Sequence, residues 1–291
     1  MSRRGNKANF VIIAAGQMIS LFGSAIQRFC MSLYVLDLTG SPGIFATILS
    51  ISMLPYVLLA PVAGNITDYF SKKKIMVCTD IFSGIVISCY AAFLFSGHDR
   101  PAVIAVTMIL LSAASTIYSP AVTASIPLSV SAKQLYRANG IVQQIGSAAN
   151  FAGPVIAGML YGFLGIRWIV VLNAISFFVS ALMEGFLHLP EKKNGSRNKL
   201  SFLGSVNEMY QGFLYLKKFQ SIILKIIFSY GLSNLFIVPV FSVAAPHFIK
   251  NVLGLSSEVY GSVEGITAME KRLGNTLIST PPVIIPSTVI P

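Results

Sequence analysis

The chain has 291 residues, of which 54% are hydrophobic and 11% are charged, and its formal net charge is +11 at pH 7. Soluble globular domains carry about 25% charged residues, so this composition indicates an integral membrane protein. The basic residues lie in short connections between apolar runs, which excludes a nucleic-acid-binding surface. The 3 cysteines and 3 histidines form no metal-ligand spacing and no nucleophile–base pair, so we expect no metal, no cofactor and no enzyme activity.

Seven segments reach the roughly 20 apolar residues that a bilayer-crossing helix needs. They are predicted at Asn9–Leu36, Gly43–Ile66, Ile75–Phe95, Pro101–Tyr118, Asn139–Gly162, Trp168–Leu187 and Ser221–Ala244. An eighth segment starts near Ser257 and then fails. The first segment is too long for a signal peptide and ends without a small-residue cleavage site, so we interpret it as a retained helix.

A polar stripe follows one face of the first segment. Its members lie within about 100° of arc at about 100° per residue: Gln17, Ser20, Ser24, Gln27 and Arg28. Such a stripe faces other helices or a water-filled cavity, so it is a candidate substrate surface, with polar packing between helices as the alternative. Arg28 stands out because a charge at a helix centre costs about 2.5–3.5 kcal/mol. If Arg28 only reaches the outer membrane surface, no function follows from it.

The connection GNITDYFSKKK, Gly64–Lys74, carries a charged motif between the second and third segments. It resembles the loop between helices two and three of major facilitator superfamily transporters. Four positions match that motif: Gly64, Asp68, Lys72 and Lys73. Two positions, Tyr69 and Ser71, depart from it. The resemblance implies a cytoplasmic gate, whereas the bare pattern also fits a polar turn with lysines on the cytoplasmic side.

The distribution of basic residues predicts a cytoplasmic N-terminus. With that orientation the outside loops hold only Arg100, Arg167 and Lys250. The inside loops hold Arg3, Arg4, Lys7, Lys72, Lys73, Lys74, Lys133, Arg137, Lys192, Lys193, Arg197, Lys199, Lys217 and Lys218. We therefore expect a multi-pass protein of the cell membrane.

Two acidic residues, Asp80 and Glu184, fall inside predicted spans. Both lie within about two helical turns of the cytoplasmic ends, so ion pairs with loop lysines would explain them. The alternative is proton coupling, because a desolvated carboxyl group favours its protonated form. Protons are accordingly a candidate coupling ion.

The fifth segment contains GSAANFAGPVIAG. Its small residues form a groove at Gly146, Ala149, Gly153 and Ala157, which would let a neighbouring helix approach closely. Pro154 has no N–H and removes the helical partner of the Asn150 carbonyl, so the helix is expected to bend. The sequence resembles the helix-five motif of drug exporters at Gly140, Gly153, Pro154 and Gly158. That resemblance implies export; a generic packing face is the alternative.

Shorter stretches resemble the macrolide-efflux and enterobactin-exporter group of the same superfamily. They include Leu38–Pro42, Ser119–Ala121 and Arg137–Gly140. The fold class implied is all-α and membrane-spanning, a six-helix N-terminal half plus the start of a second half. The predicted division is a bundle at 1–188, a basic loop with a surface helix at 189–220, helix seven and the start of helix eight at 221–268, and an aberrant tail at 269–291.

The tail departs from the resemblance. Glu270, Lys271 and Arg272 fall where an apolar helix centre is expected, and four prolines follow in the last eleven residues. We interpret the tail as a C-terminal truncation caused by a frameshifted or prematurely ended reading frame, with a natural short form whose tail lies outside the bilayer as the alternative.

The resemblance predicts a secondary active exporter of a drug-like or siderophore-like small molecule. The motifs favour the exporter, whereas the tail favours the alternative that this polypeptide is a transport-incompetent fragment of such a permease.

Overall fold

The structure, a computed structural model, describes residues 3–189, 202–239 and 247–249. Within these ranges all regular secondary structure is helical, with one 3-10 turn at Ala132–Gln134. The α-helices are α1 (Arg3–Thr39), α2 (Pro42–Tyr69), α3 (Lys72–Phe95), α4 (Pro101–Ser129), α5 (Leu135–Gly185), α6 (Phe202–Phe219) and α7 (Ser221–Pro239). The first 5 are long and apolar enough to cross a membrane. The prediction of an all-α, membrane-spanning fold is confirmed.

Helix α5 is broken at Gly165 into two arms, 135–164 and 166–185. Gly165 has φ 68° and ψ 170°, outside the helical region. A positive φ favours glycine because a Cβ atom would be strained there. Each arm reaches the roughly 20 residues of a membrane span, so the two arms correspond to the predicted fifth and sixth segments.

Helix α1 packs against both arms of α5. The first arm runs parallel to α1, because residue numbers rise together along both helices: Gly153 lies against Ala25, and Cys30 Sγ donates to the Ala157 carbonyl at 3.6 Å. The second arm runs antiparallel to α1, because Asn173 lies against Gly23 and Glu184 lies against Gly16. The arms are therefore antiparallel to each other, and α1 packs against both of them.

The connection between α1 and α2 follows from the sequence Thr39–Pro42. Gly40 has φ 60°, and its N–H donates to the Leu36 carbonyl at 2.8 Å. Ser41 then caps α2, accepting from the N–H of Ile44 at 3.4 Å, and Pro42 occupies the first turn, where no N–H is needed. These choices end one helix and begin the next within two residues.

Helix α4 is longer than the sequence predicted. The fourth segment was predicted to end at Tyr118, whereas α4 continues to Ser129 with Pro120 and Pro127 inside it. Membrane helices tolerate proline when neighbouring groups satisfy the freed carbonyls. Hydroxyl groups on this stretch also bond to the preceding turn: Ser125 Oγ donates to the Ala121 carbonyl at 2.7 Å.

Polar and aromatic side chains tie the helices together at the end where α1 finishes. Tyr34 donates to Asp99, and Tyr161 donates to Asp37 Oδ2 at 2.7 Å. Arg167 lies over the ring of Phe95, 5.8 Å from its centroid. At the other end, Asn9 Nδ2 donates to the carbonyl of His188 at 2.8 Å. Helix α1 is thus fixed to its neighbours at both ends.

Helix α6 lies within the region 189–220 where a surface helix was predicted, and α7 begins at Ser221 like the predicted seventh segment. On α6 the apolar side chains of Tyr210, Phe213 and Leu214 are exposed, as expected of a helix lying on a membrane surface. The eighth segment and the tail from Met269 lie outside the described residues.

Candidate substrate cavity

A cavity of about 300 Å³ lies between α1, α2, α3, α4 and the second arm of α5. Each element contributes to its wall, for example Ser52 from α2, Thr79 from α3 and Met108 from α4. Small-molecule sites span about 300–1,000 Å³ and are mostly apolar with a few polar groups. The described part of the chain therefore contains a cavity of ligand-binding size.

The polar stripe of α1 forms one wall of this cavity. Ser20, Ser24, Gln27 and Arg28 line it. The fifth predicted member, Gln17, does not line it; its Oε1 atom is buried with no hydrogen-bond partner among the described residues. Four of the five residues predicted from helical periodicity therefore line one surface.

A network of side-chain hydrogen bonds holds Gln27 at the cavity wall. Asn173 Nδ2 donates to Gln27 Oε1, and Gln27 Nε2 donates to Met31 Sδ at 3.1 Å. Ser176 Oγ donates to Asn173 Oδ1 at 2.9 Å. Gly23 permits this arrangement, because a Cβ there would collide with the Asn173 amide oxygen. Both polar ends of the Gln27 amide are occupied by protein groups.

Arg28 has a different environment. Arg28 is exposed in the structure and lines the cavity. Its electrostatic surroundings among the described residues contain no carboxylate, and the hydrogen bond at this position is made by its carbonyl, which accepts from Ser32 Oγ at 2.8 Å. The guanidinium group therefore faces the cavity with its donors available.

Two acidic side chains meet beneath the cavity. Asp80 is 2% exposed and Glu184 is 0% exposed, and the two carboxyl groups lie within electrostatic range of each other. Ser20 Oγ donates to Asp80 Oδ1 at 3.5 Å, and Tyr118 Oη donates to Glu184 Oε1 at 2.7 Å. We call Ser20, Asp80, Tyr118 and Glu184 the carboxyl cluster.

Helix α1 closes the carboxyl cluster from one side. Ser180 Oγ donates to the carbonyl of Gly16 at 3.1 Å. A Cβ built on Gly16 would lie 3.4 Å from Glu184 Oε1, so the backbone of α1 covers the carboxyl group directly. Asp80 Oδ2 and Glu184 Oε2 have no hydrogen-bond partner among the described residues.

The expectation of ion pairs between these acids and loop lysines is therefore wrong for the described residues. The lysines nearest in sequence to Asp80, Lys72–Lys74, occupy the first turn of α3, two turns away. Hydroxyl groups bind the carboxyls instead. The physical reason is burial, since both acids point into the bundle and not towards the membrane surface.

Comparison with known proteins assigns the family. The model of the Major Facilitator Superfamily matches residues 13–269 of the chain. The chain belongs to the Major Facilitator Superfamily. It is therefore a multi-pass membrane protein of a family of transporters, which are not enzymes.

Among curated superfamily members, it is similar to macrolide efflux protein A of Streptococcus pyogenes, with 26% identity over 216 residues, 73% of this chain and 52% of that protein. It is 25% identical over 193 residues to the multidrug efflux pump Tap of Mycobacterium tuberculosis, covering 64% of this chain and 46% of the pump. The chain spans about half the length of these relatives.

Solved structures of transporters share the fold. A bacterial homologue of the iron transporter ferroportin, in an inward-facing state, gives a TM-score of 0.64 at 17% identity, over 92% of this chain and 67% of that one. A bacterial homologue of the human lysosomal transporter Spinster, also inward-facing, gives a TM-score of 0.65 at 14% identity, over 95% of this chain and 63% of that one.

The superfamily loop motif lies at the junction of α2 and α3. Gly64 and Asp68 occupy the last turns of α2 and are exposed, and Lys72 and Lys73 begin α3. The described residues show no hydrogen bond or ion pair for the Asp68 carboxylate. The structure thus brings the motif residues to one end of the bundle without joining them.

The helix-five motif lies on the first arm of α5. Gly153, Pro154 and Gly158 are buried, whereas Gly140 is exposed. A Cβ on Gly153 would lie 2.8 Å from the Cβ of Ala25, so this part of the groove receives α1. Gly146 has nothing within 4 Å of such a Cβ, and the groove opens there.

Sequence reasoning missed three residues of this region. Asn173 and Ser180 lie on the same stripe of α5 as Glu184, with spacings of seven and four residues. The periodicity argument used for α1 would have found them. Tyr118 carried no signal of this kind, because an aromatic residue in an apolar run is usually part of the core.

Proposed function

We propose that this chain acts in secondary active efflux of a drug-like or siderophore-like small molecule. The observation that carries the proposal is a cavity of ligand-binding size with α1 in its wall. It occurs in a chain that belongs to a superfamily of transporters. The efflux activities named for the relatives in Streptococcus and Mycobacterium support the direction of transport. In such transporters one half-bundle rocks against the other around a site near the membrane midplane.

The carboxyl cluster is our candidate for coupling to protons. Asp80 and Glu184 share a compartment from which water is largely excluded. Two negative charges there would repel each other strongly, and a single proton removes that repulsion. Ser20 connects the compartment to the cavity, because it lines the cavity and donates to Asp80. Proton and substrate would then act on the same segment of α1.

The loop motif is our candidate for the cytoplasmic gate. An exposed carboxylate at Asp68, with lysines at the start of α3, can pair with charges on a facing element in one transport state and release them in the other. The orientation this requires, a cytoplasmic N-terminus in the cell membrane, is proposed from the distribution of basic residues alone.

Accumulation measurements test the efflux proposal. The 291-residue chain is expressed in a bacterial host that lacks its own exporters, and the accumulation of an anionic dye (fluorescein) and of a cationic dye (ethidium) is compared with that of an empty-vector strain, a reduction for either dye counting as efflux. Reduced accumulation, restored by a protonophore, is the expected result. Unchanged accumulation at verified membrane abundance would contradict the proposal and favour the alternative of a transport-incompetent fragment.

Substitution of the acids tests the coupling. Asp80→Asn and Glu184→Gln should each abolish the protonophore-sensitive part of the efflux. Asp99→Asn is the matched control, since Asp99 lies against Tyr34 near the end of α1, away from the carboxyl cluster. Efflux that stays protonophore-sensitive in both cluster variants would rule out the cluster as the coupling site.

A further inference from the structure

The charge that a ligand meets in the cavity is positive. Among the residues lining it, Arg28 has a basic side chain and Asp80 an acidic one. Asp80 is 2% exposed and bonded to Ser20 within the carboxyl cluster. Arg28 is exposed and lines the cavity. A molecule entering this space therefore meets a guanidinium group and not a carboxylate.

Two neighbouring acceptors are already used. Gln27 Oε1, on the adjacent residue, accepts from Asn173, and Met31 Sδ, less than one turn away, accepts from Gln27. A guanidinium group offers five donors in a planar fork that matches the two oxygens of a carboxylate, sulfonate or phosphate. Its position in the span of α1 makes an unpaired state costly. These features favour a ligand that brings its own anion.

The remaining wall suits an apolar body. Thioether and aromatic side chains line the cavity: Met31, Met53, Tyr56, Met108 and Phe177. Methionine side chains adapt to different shapes, and aromatic rings offer flat contact surfaces. The wall therefore provides a flexible apolar surface beside one fixed cation.

We propose that the cavity selects amphipathic anions: molecules with an apolar ring system or chain and one carboxylate, sulfonate or phosphate group that binds Arg28. The inference rests on the proposed function in one respect, since it takes this cavity to be the substrate site. The inference narrows the proposed substrates to anions, because the Arg28 guanidinium group would repel a cationic drug.

A matched pair of fluorescent probes tests the inference. 1-Anilinonaphthalene-8-sulfonate and N-phenyl-1-naphthylamine share one ring system and differ by the sulfonate. The full 291-residue chain is placed in nanodiscs of zwitterionic lipid, with empty nanodiscs as the background. Arg28→Gln should weaken sulfonate-probe binding at least about tenfold and change binding of the neutral probe less than about twofold. Arg28→Lys should give an intermediate loss, because it keeps the charge and loses the fork.

Two controls separate this effect from a general disturbance. Arg100→Gln removes a cation at the cap of α4, outside the cavity lining, and should leave both probes unaffected. Met53→Trp adds bulk to the wall and should weaken both. Equal loss of both probes in Arg28→Gln, or no loss of the sulfonate probe, would overturn the inference.

The two proposals fail separately. Sulfonate-probe binding that depends on Arg28, without any change in drug accumulation, would contradict efflux and leave the anion site in place. Lower drug accumulation, together with sulfonate-probe binding that does not depend on Arg28, would contradict the anion site alone.

Discussion

Gly153 of α5 lies against Ala25 of α1 so closely that a Cβ built on the glycine would be 2.8 Å from the Cβ of the alanine. Atoms at this separation overlap, so the approach of the two helices depends on the missing side chain. Because α1 also forms the cavity wall, this contact fixes the position of the wall relative to the first arm of α5.

We predict that Gly153→Leu destabilises the bundle. The new side chain must displace Ala25 or its backbone, which is overpacking at a cost of about 1–3 kcal/mol. Gly146→Leu is the matched control, since it lies on the same stripe but has nothing within 4 Å of a built Cβ. Thermal unfolding in detergent measures both. Equal unfolding temperatures for Gly153→Leu and the parent would mean that α1 does not pack on this groove.

We also predict that Gly23→Ala disturbs the cavity wall through Asn173. The added methyl group would collide with the Asn173 amide oxygen and lie 2.6 Å from Ser176 Oγ. Asn173 must then turn away and lose its bond to Gln27. The expected cost is about 1–3 kcal/mol in the free energy of unfolding.

A double-mutant cycle identifies the partner in that collision. In an Asn173→Ala background the added methyl group of Gly23→Ala has more room, so the combined loss should be smaller than the sum of the two single losses. Additive losses would show that Gly23→Ala acts elsewhere. The readout is the free energy of unfolding by denaturing detergent.

The helices and the α1 stripe could be predicted from the sequence because both depend on the spacing of residues that are close in the chain. A run of apolar residues gives a span, and polar residues three or four apart share a face. The end of α4 could not be predicted in this way, because Pro120 usually ends a soluble helix, while a bundle in a membrane supplies other partners for the freed carbonyl.

The carboxyl cluster could be predicted only in part. The sequence placed Asp80 and Glu184 in spans but suggested lysine partners for them, since lysine-rich loops are close in sequence. Their meeting depends on how α3 and the second arm of α5 pack, and no local pattern encodes that pairing. Tyr118 entered the cluster for the same reason.

We predict a cytoplasmic position for residue 195, which lies outside the described residues. A Gly195→Cys variant is made in a background without Cys30, Cys78 and Cys89. An impermeant maleimide should label it only after permeabilisation, because the basic loops remain inside. Ser96→Cys, exposed at the end of α3, should be labelled in intact cells. Labelling at position 195 in intact cells would reverse the proposed orientation.

Two buried tyrosines should respond differently to loss of their hydroxyl groups. Tyr118→Phe removes the donor to Glu184 Oε1, which lies 2.7 Å away, and leaves a buried acceptor unpaired at a cost of about 1–3 kcal/mol. Tyr90 is equally buried, but its hydroxyl has no partner among the described residues. Tyr90→Phe should therefore be neutral or stabilising. Unfolding free energies measured side by side decide the matter: similar losses in the two variants would show that the Tyr118–Glu184 bond contributes nothing specific to the bundle.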